Sequence, residues 1–186
     1  MLEGLKDARL FGSKNDQPRH VKQKQEQRHF FPLLPCVLIA FILTIVFHSM
    51  FGIAIVSGKS MEPTLHEGDV ILFWKLSRSY EKGEIVLIKT NGQVDYVKRV
   101  CAVPNDTVTI DDASGCLFVN GERQAEPYID ESTYSKTEVE YPLVLSEQEY
   151  FVLGDCRSVS WDSRSYGAVH GEQMDGKVIF LFRGVM

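Results

Sequence analysis

Residues 30–56 read FFPLLPCVLIAFILTIVFHSMFGIAIV and contain no Asp, Glu, Lys or Arg. A helix of about 20 apolar residues, rising ~1.5 Å per residue, is long enough to cross the ~30 Å hydrocarbon core of a bilayer. Pro32 and Pro35 fall at its start, where a missing backbone N–H costs little. A secretory signal peptide would have a shorter apolar region of ~7 to 15 residues. The stretch therefore predicts one transmembrane anchor over residues 30–53.

Charge is distributed unevenly on the two sides of this anchor. Residues 1–29 contain seven Lys and Arg against four Asp and Glu, whereas the whole chain carries a net charge of −5, so the part beyond the anchor is acidic. Basic flanks of a membrane span stay in the cytoplasm. We expect a basic cytoplasmic tail over residues 1–29, a single pass through the plasma membrane, and an extracytoplasmic domain over residues 54–186. An acidic body argues against a nucleic-acid partner.

The outer part contains short apolar runs of the strand type, separated by turn signals such as Asn91-Gly92 and Asn120-Gly121. These runs are residues 70–74, 84–88, 95–103, 107–110, 116–120, 149–154 and 177–182. No stretch keeps a helical periodicity. The pattern predicts a mostly β domain with a small cap within about residues 104–149. Cys and His do not cluster at zinc spacing and there is no Gly-rich phosphate loop, so neither a metal nor a cofactor is predicted.

Immediately after the anchor comes SGKSMEPTLHEGDV, residues 57–70. Gly58 and Pro63 indicate a constrained turn, which would hold Ser60 on a rigid bend. A serine in a turn is most often a capping residue. Its hydroxyl becomes a nucleophile only when a base lies beside it, so the choice of base decides the interpretation.

The candidate bases are His66, His170 and Lys98. Neither histidine stands in a recognisable arrangement with a carboxylate. In the run DYVKRV, strand alternation puts Tyr96 and Lys98 on one face. A lysine that is desolvated on an inward face has a lowered pKa and can act as a base near neutral pH. An exposed strand lysine is the plainer alternative, and the residues alone leave both open.

A third segment, VLGDCRSVSWDSRSYG, covers residues 152–167 and is rich in hydroxyls and charges. Its two Asp and two Arg residues are able to pair and fix a loop. Ser160 within it is able to hold an amine or orient an oxyanion. Taken alone, such a loop is most often structural.

In order along the chain, the blocks SGKSMEPTL, GDVI, YVKRV and LGDCRSVSWDSR resemble the type I signal peptidases of peptidase family S26, in their short Gram-positive-like form. These are membrane-anchored serine proteases with a serine–lysine dyad. The resemblance covers the anchor and nearly all of the outer domain. It implies an antiparallel β-sheet catalytic domain of the signal peptidase/LexA-like type, preceded by one N-terminal transmembrane helix, with no cofactor.

The resemblance implies a role for each matched residue. Ser60 is the nucleophile and Lys98 the general base, Ser160 hydrogen-bonds the lysine amine, and Asp162 with Arg164 forms a structural ion pair. The backbone N–H of Ser60 contributes to the oxyanion hole, and Gly58 occupies the position where some members carry a second hydroxyl donor. The implied substrate-binding residues are Ala54, Val56, Met61, Leu65, Tyr96 and Val97.

The implied partners are the lipid bilayer and exported preproteins bearing signal peptides, which are cut after small residues of the Ala-x-Ala type. Shallow apolar pockets explain that preference, because larger side chains would clash. One departure from the family pattern is Cys156, which stands where Asn is usual after Gly-Asp. A bridge between Cys101 and Cys116 is left open.

Two other functions fit part of the sequence. A self-cleaving serine–lysine protease of the repressor type shares the dyad, but the anchor and the acidic body argue against it. An inactive anchored β module that binds surface proteins would explain the anchor and the fold, but not the joint presence of Ser60, Lys98 and Ser160.

Overall fold

The computed structural model describes residues 33–90 and 94–183. Its first element is helix α1 (Leu33–Met50), which is 18 residues long and apolar enough to cross a membrane by length and composition. No residue of this helix is buried. The tail predicted over residues 1–29 and the first residues of the predicted anchor lie outside the described residues.

The apolar run of the sequence divides between a helix and a strand. Strand β1 (Phe51–Ile55) begins directly after α1 and pairs antiparallel with β2 (Val70–Trp74). A Cβ atom on Gly52 would lie 2.1 Å from the ring of Phe73, so a glycine is required where this ring crosses β1. The predicted anchor ran to residue 53 because hydropathy alone does not distinguish an apolar helix from an apolar strand that follows it.

The larger sheet has seven strands in the order β1-β2-β11-β3-β4-β9-β10, and its strand pairs are antiparallel. Its remaining members are β3 (Ile85–Thr90), β4 (Val94–Ala102), β9 (Glu149–Leu153), β10 (Val169–His170) and β11 (Met174–Phe182). Between β9 and β10 lies a one-turn helix, α2 (Ser163–Tyr166), and a short 3₁₀ turn (Gly171–Gln173) precedes β11.

A second sheet of four strands is inserted between β4 and β9, in the order β7-β6-β5-β8. Its strands are β5 (Thr107–Asp111), β6 (Cys116–Val119), β7 (Glu122–Arg123) and β8 (Leu143–Val144). These antiparallel sheets and the N-terminal apolar helix confirm the predicted fold class. Residues 124–142 connect β7 to β8 without a helix or a strand and lie along the loop that follows β9.

The hydrophobic core consists of three clusters. One lies under the second sheet, with Phe151 and Leu153 at its centre, and one contains Val86, Val100 and Val152. The third packs the turn after β1 against the large sheet, through Val56, Met61, Leu65, Ile71, Phe73 and Leu87. All four cysteines are free, so the open bridge between Cys101 and Cys116 does not form.

Candidate active site

Ser60 lies on a loop whose two ends are fastened together. The backbone N–H of Val56 donates to the carbonyl of Asp69, 2.8 Å away, and the N–H of Gly68 donates to the carbonyl of Val56 at 2.9 Å. Within the loop, Met61, the residue directly after Ser60, is 1% exposed and packs in the core. These contacts leave Ser60 half-buried and fixed in position.

Lys98 reaches Ser60 from the neighbouring part of the sheet. It lies on β4 opposite Val86 of β3, and only 2% of its surface is exposed. Its Nζ is 2.8 Å from the Oγ of Ser60, which is hydrogen-bond distance. No carboxylate forms an ion pair with Lys98 in the described parts of the chain. The structure therefore brings together the two residues that the sequence singled out as nucleophile and base.

The surroundings of Lys98 favour its neutral amine. Burial lowers the pKa of Lys98 from 10.5 to about 8, against the opposing effects of the Asp162 and Asp155 carboxylates. The positive charges of Arg164 and Lys136 lower this pKa further. A free amine is thus accessible close to neutral pH, which is what a general base requires.

Ser160 is buried beside this pair and is 1% exposed. Its hydroxyl has no hydrogen-bond partner among the residues that the structure describes. The hydrogen bond to the Lys98 amine that the resemblance implied is not formed here, so a role for this hydroxyl in holding the amine stays a prediction. The carbonyl of Ser160, by contrast, is bound: it accepts a hydrogen bond from the Nζ of Lys136 at 2.7 Å.

The buried pair of Asp162 and Arg164 fixes the loop that carries Ser160. Nε of Arg164 donates to one carboxylate oxygen of Asp162 at 2.9 Å, and Nη2 donates to the other at 2.9 Å. Asp162 also accepts from the backbone N–H of Gly154 at 3.1 Å. Burial alone would raise the pKa of Asp162, but the contacts with Arg164 outweigh it and the pKa is lowered. The carboxylate therefore stays charged, as a structural ion pair requires.

A second ion pair joins β4 to the Ser60 loop. Arg99 follows Lys98 and donates from Nε and Nη2 to the two oxygens of Asp155, at 2.9 and 2.6 Å. The hydroxyl of Thr64 donates to the same carboxylate at 2.5 Å. The Arg99 guanidinium also lies 4.0 Å from the centre of the Tyr128 ring. Because one carboxylate binds both segments, Asp155 sets the spacing between the strand of the base and the loop of the nucleophile.

A groove of about 410 Å³ runs past Ser60. It is lined by Ala54, Ile55, Val56, Ser57, Gly58, Ser60, Met61, Leu87, Tyr96 and Val97. All of the substrate-binding residues expected from the sequence line it except Leu65. The N–H of Leu65 donates to the carbonyl of Met61 in a tight turn, and the Leu65 side chain packs in the same core cluster as Val56 and Met61. A role for Leu65 in binding substrate stays a prediction.

Sequence reasoning missed three residues of this groove, namely Ile55, Ser57 and Leu87. Leu87 lies in an uninterrupted apolar run, IVLI, where alternation gives no signal of which side chain faces a cavity. Strand β1 is at one end of the sheet order, and no described strand pairs with its outer edge. A peptide in extended conformation can add to such an edge.

The backbone around Ser60 offers a donor for a developing oxyanion. The N–H of Ser60 donates to no acceptor in the described residues, while its carbonyl accepts from the N–H of Cys156 at 3.1 Å. Gly58, two residues earlier, adopts φ +85° and is exposed. Gly58 thus shapes the turn and brings no side-chain donor of its own.

Gly154 separates Ser60 from Ser160, and an added methyl group should disrupt the site. A Cβ atom at position 154 would lie 2.2 Å from Oγ of Ser160 and 2.5 Å from the carbonyl oxygen of Ser60. We expect Gly154→Ala to lower kcat/KM at least ~100-fold, since displacements of about 1 Å cost that much. Gly171→Ala is the matched control, because its nearest contact would be an ordinary 3.4 Å. Equal activity of the two variants in a peptide cleavage assay would contradict the requirement for glycine between Ser60 and Ser160.

Residues 28–183 match the family described as signal peptidase, peptidase S26. Signal peptidase I of Bacillus licheniformis is 32% identical over an alignment of 174 positions, and the match covers 87% of this chain and 92% of that protein. Signal peptidase IB of Staphylococcus aureus (strain Mu50) is 36% identical over an alignment of 146 positions, and the match covers 68% of this chain and 75% of that protein.

Among solved structures, a signal peptidase I from Enterococcus faecalis V583 is 29% identical, with a TM-score of 0.45, and the match covers 54% of this chain and 97% of that one. The family match spans most of the chain, including Ser60, Lys98 and the loop with Asp162 and Arg164. This chain therefore belongs to the signal peptidase family, peptidase S26.

Proposed function

We propose that this chain removes N-terminal signal peptides from exported preproteins, with Ser60 as the nucleophile and Lys98 as the general base. The single observation that carries the assignment is the 2.8 Å contact between Nζ of Lys98 and Oγ of Ser60, formed with an amine that is 2% exposed. In its free-base form, a buried amine at that distance is able to accept the serine proton as the oxygen attacks a carbonyl.

The reaction proceeds in two steps. In the first, Oγ of Ser60 forms a bond to the scissile carbonyl carbon while its proton passes to Lys98, and the protonated amine then gives that proton to the leaving amine of the mature protein. The signal peptide remains as an ester on Ser60. In the second step, Lys98 takes a proton from water, whose oxygen bonds to the ester carbon. The bond from that carbon to Oγ of Ser60 then breaks, Lys98 returns the proton to Oγ, and the signal peptide leaves as a free acid. The N–H of Ser60 is directed at the oxyanion in both steps.

The substrate lies as an added strand beside residues 54–56, along the outer edge of the end of β1 and the residue that follows it. In an extended peptide, alternate side chains point to the same face. The residues one and three before the cut therefore face the floor of the groove, where Val56 and Met61 are 5% and 1% exposed. Such a closed floor accepts alanine and excludes bulky side chains.

The membrane arrangement is part of the same proposal. Signal peptidase I relatives are membrane-associated, and α1 provides one apolar helix of sufficient length. With the basic tail in the cytoplasm, residues 54–186 form the extracytoplasmic catalytic domain. Enzyme and signal peptide then share one membrane, which raises the effective concentration of a weakly bound substrate.

The test is cleavage of a purified preprotein by the full chain in detergent, followed by sequencing of the new N-terminus. We expect a single new N-terminus directly after an Ala-x-Ala sequence. Phe in place of Ala at the position one or three before the cut should lower kcat/KM by about 100-fold or more, because it clashes with the groove floor.

The control is Phe at the position two before the cut, where the side chain points away from the floor and we expect a change of only a few-fold. Cleavage at unrelated positions, or equal sensitivity at all three positions, would refute the proposed substrate arrangement.

A further inference from the structure

Lys136 contacts the active-site loop from the connecting segment of residues 124–142. Its Nζ donates to the carbonyl of Ser160 at 2.7 Å and lies 3.1 Å from the Oγ of Ser165. The residue is half-buried, and no carboxylate forms an ion pair with it in residues 33–90 and 94–183. A neutral hydrogen-bond donor would also satisfy the carbonyl of Ser160, so the hydrogen bond alone does not account for a charged side chain at position 136.

The connecting segment holds Lys136 against the loop by other contacts. The two guanidinium nitrogens of Arg157, which is 2% exposed, donate to the two oxygens of Glu126 at 3.1 and 2.6 Å. Glu131 accepts from the backbone N–H of Ser158 at 2.8 Å and from its hydroxyl at 2.9 Å. These contacts tie the segment that precedes Lys136 to the loop at Arg157 and Ser158, so the charge of Lys136 has a defined position.

Four charged groups act on the Lys98 amine. The carboxylates of Asp162 and Asp155 raise its pKa, whereas Arg164 and Lys136 lower it. Arg164 is bound to Asp162, so of the two positive groups only Lys136 forms no ion pair within the described residues. The other neighbours are the hydroxyl of Ser60 and the face of the Tyr96 ring, 5.7 Å from Nζ. Lys136 is therefore a positive charge that opposes the two carboxylates without being tied to either of them.

We propose that Lys136 is a positioning residue for the reaction of Ser60 and Lys98: its ammonium group fixes the loop at the Ser160 carbonyl and supplies a positive charge, not paired with a carboxylate, that disfavours a proton on Lys98. This inference rests on the proposed function of the dyad. The inference gives residues 124–142 a part in catalysis, although none of them lines the groove beside Ser60. The lowering of the Lys98 pKa by Lys136 has the sign that the inference requires.

Three substitutions separate the charge from the hydrogen bond. Lys136→Arg keeps both, Lys136→Gln keeps a donor without the charge, and Lys136→Met removes both. Since the active form of Lys98 is the free base, kcat/KM of the wild type should fall about tenfold per pH unit below the pKa of about 8. Loss of a nearby positive charge raises that pKa, so the acid limb of the profile moves to higher pH.

The experiment is the pH profile of kcat/KM for the full chain in detergent, with a preprotein as the substrate. We expect the Gln and Met variants to shift the acid limb upward by about half a pH unit or more, a loss of roughly threefold or more at pH 7, and the Arg variant to keep the wild-type profile. Lys177→Gln is the control, since this lysine of β11 is paired with Glu84 and is not among the groups that shift the pKa of Lys98.

Acid limbs of the Gln and Met variants that superimpose on the wild type would overturn the inference, even if their activity dropped uniformly at all pH values, because a purely structural role moves the height of the profile and not its midpoint. Thermal melting of each variant identifies any variant that fails to fold. If Lys136→Met is such a variant, the pH profile of Lys136→Gln, the milder neutral substitution, decides the outcome. Failure of the dyad itself would appear differently, as cleavage by a variant that lacks Lys98.

Discussion

Replacing Lys98 by Met is expected to lower kcat/KM by a factor of about 10² to 10⁴ or more, since general-base catalysis contributes that much and no other described base contacts Ser60. The same substitution should make the folded protein more stable at pH 7. Both effects follow from one fact, namely that the amine is buried and its pKa is lowered to about 8.

The sign of the stability change follows from proton linkage. The folded pKa lies below the unfolded value of 10.5, so folding at neutral pH must release a proton or bury a charge. That difference disfavours the folded state by about 3 kcal/mol at pH 7. Met removes this cost but also loses the hydrogen bond to Ser60, which leaves a net gain of roughly 2 kcal/mol.

The measurement is thermal melting of the full chain in detergent at pH 7 and near pH 10, beside the cleavage assay. Wild-type stability should rise as the pH increases from about 8 to 10.5, so the advantage of the Met variant should shrink over that range. Lys98→Arg serves as the matched variant: it keeps the charge, cannot act as a base, and should be both inactive and less stable. A Met variant that still cleaves, or one that melts below the wild type at pH 7, would contradict the account of Lys98.

Replacing Ser60 by Ala should abolish cleavage, with a loss of at least ~10³-fold, because the acyl-enzyme has no other oxygen on which to form. Ser60→Cys should retain a small part of the activity, since a thiol beside the same amine is still a nucleophile. Cleavage is followed together with acylation by a penem, which adds its mass to the residue it modifies.

The control for Ser60 is Ser114→Ala, an exposed serine in the turn between β5 and β6 that hydrogen-bonds Asp111. The Ser114→Ala variant should keep wild-type activity, and the penem should still acylate it at Ser60. Acylation of the Ser60→Ala variant at another residue would remove Ser60 from the role of nucleophile.

Much of the site was accessible from the sequence because its residues lie in short, rigid segments. Alternation along DYVKRV put Lys98 and Tyr96 on one face, and the structure has both beside the Ser60 loop. The run VILFW forms β2 over the residues predicted, Val70–Trp74. Strand periodicity and turn residues act over a few positions, so they can be read without knowing the rest of the fold.

Other features depend on contacts between distant segments. The change from helix to strand at Phe51 is fixed by pairing with β2 and by the fit of Phe73 over Gly52. Strands β7, β8 and β10 have two residues each, too few for a periodic pattern. Lys136 lies in a segment without periodicity, and its contact with the Ser160 carbonyl depends on the buried pair of Glu126 and Arg157.

The strand order also has a consequence for how the enzyme is made. Ser60 precedes Lys98 in the chain, and the N–H of Cys156 that holds the Ser60 carbonyl comes much later. Strand β4, which carries Lys98, lies between β3 and the later strand β9, and β3 in turn pairs with β11, the last strand of all. We therefore expect the contact between Ser60 and Lys98 to form only after strands β9 and β11 have been synthesised, so that a nascent chain lacks the pair until its last strand is made.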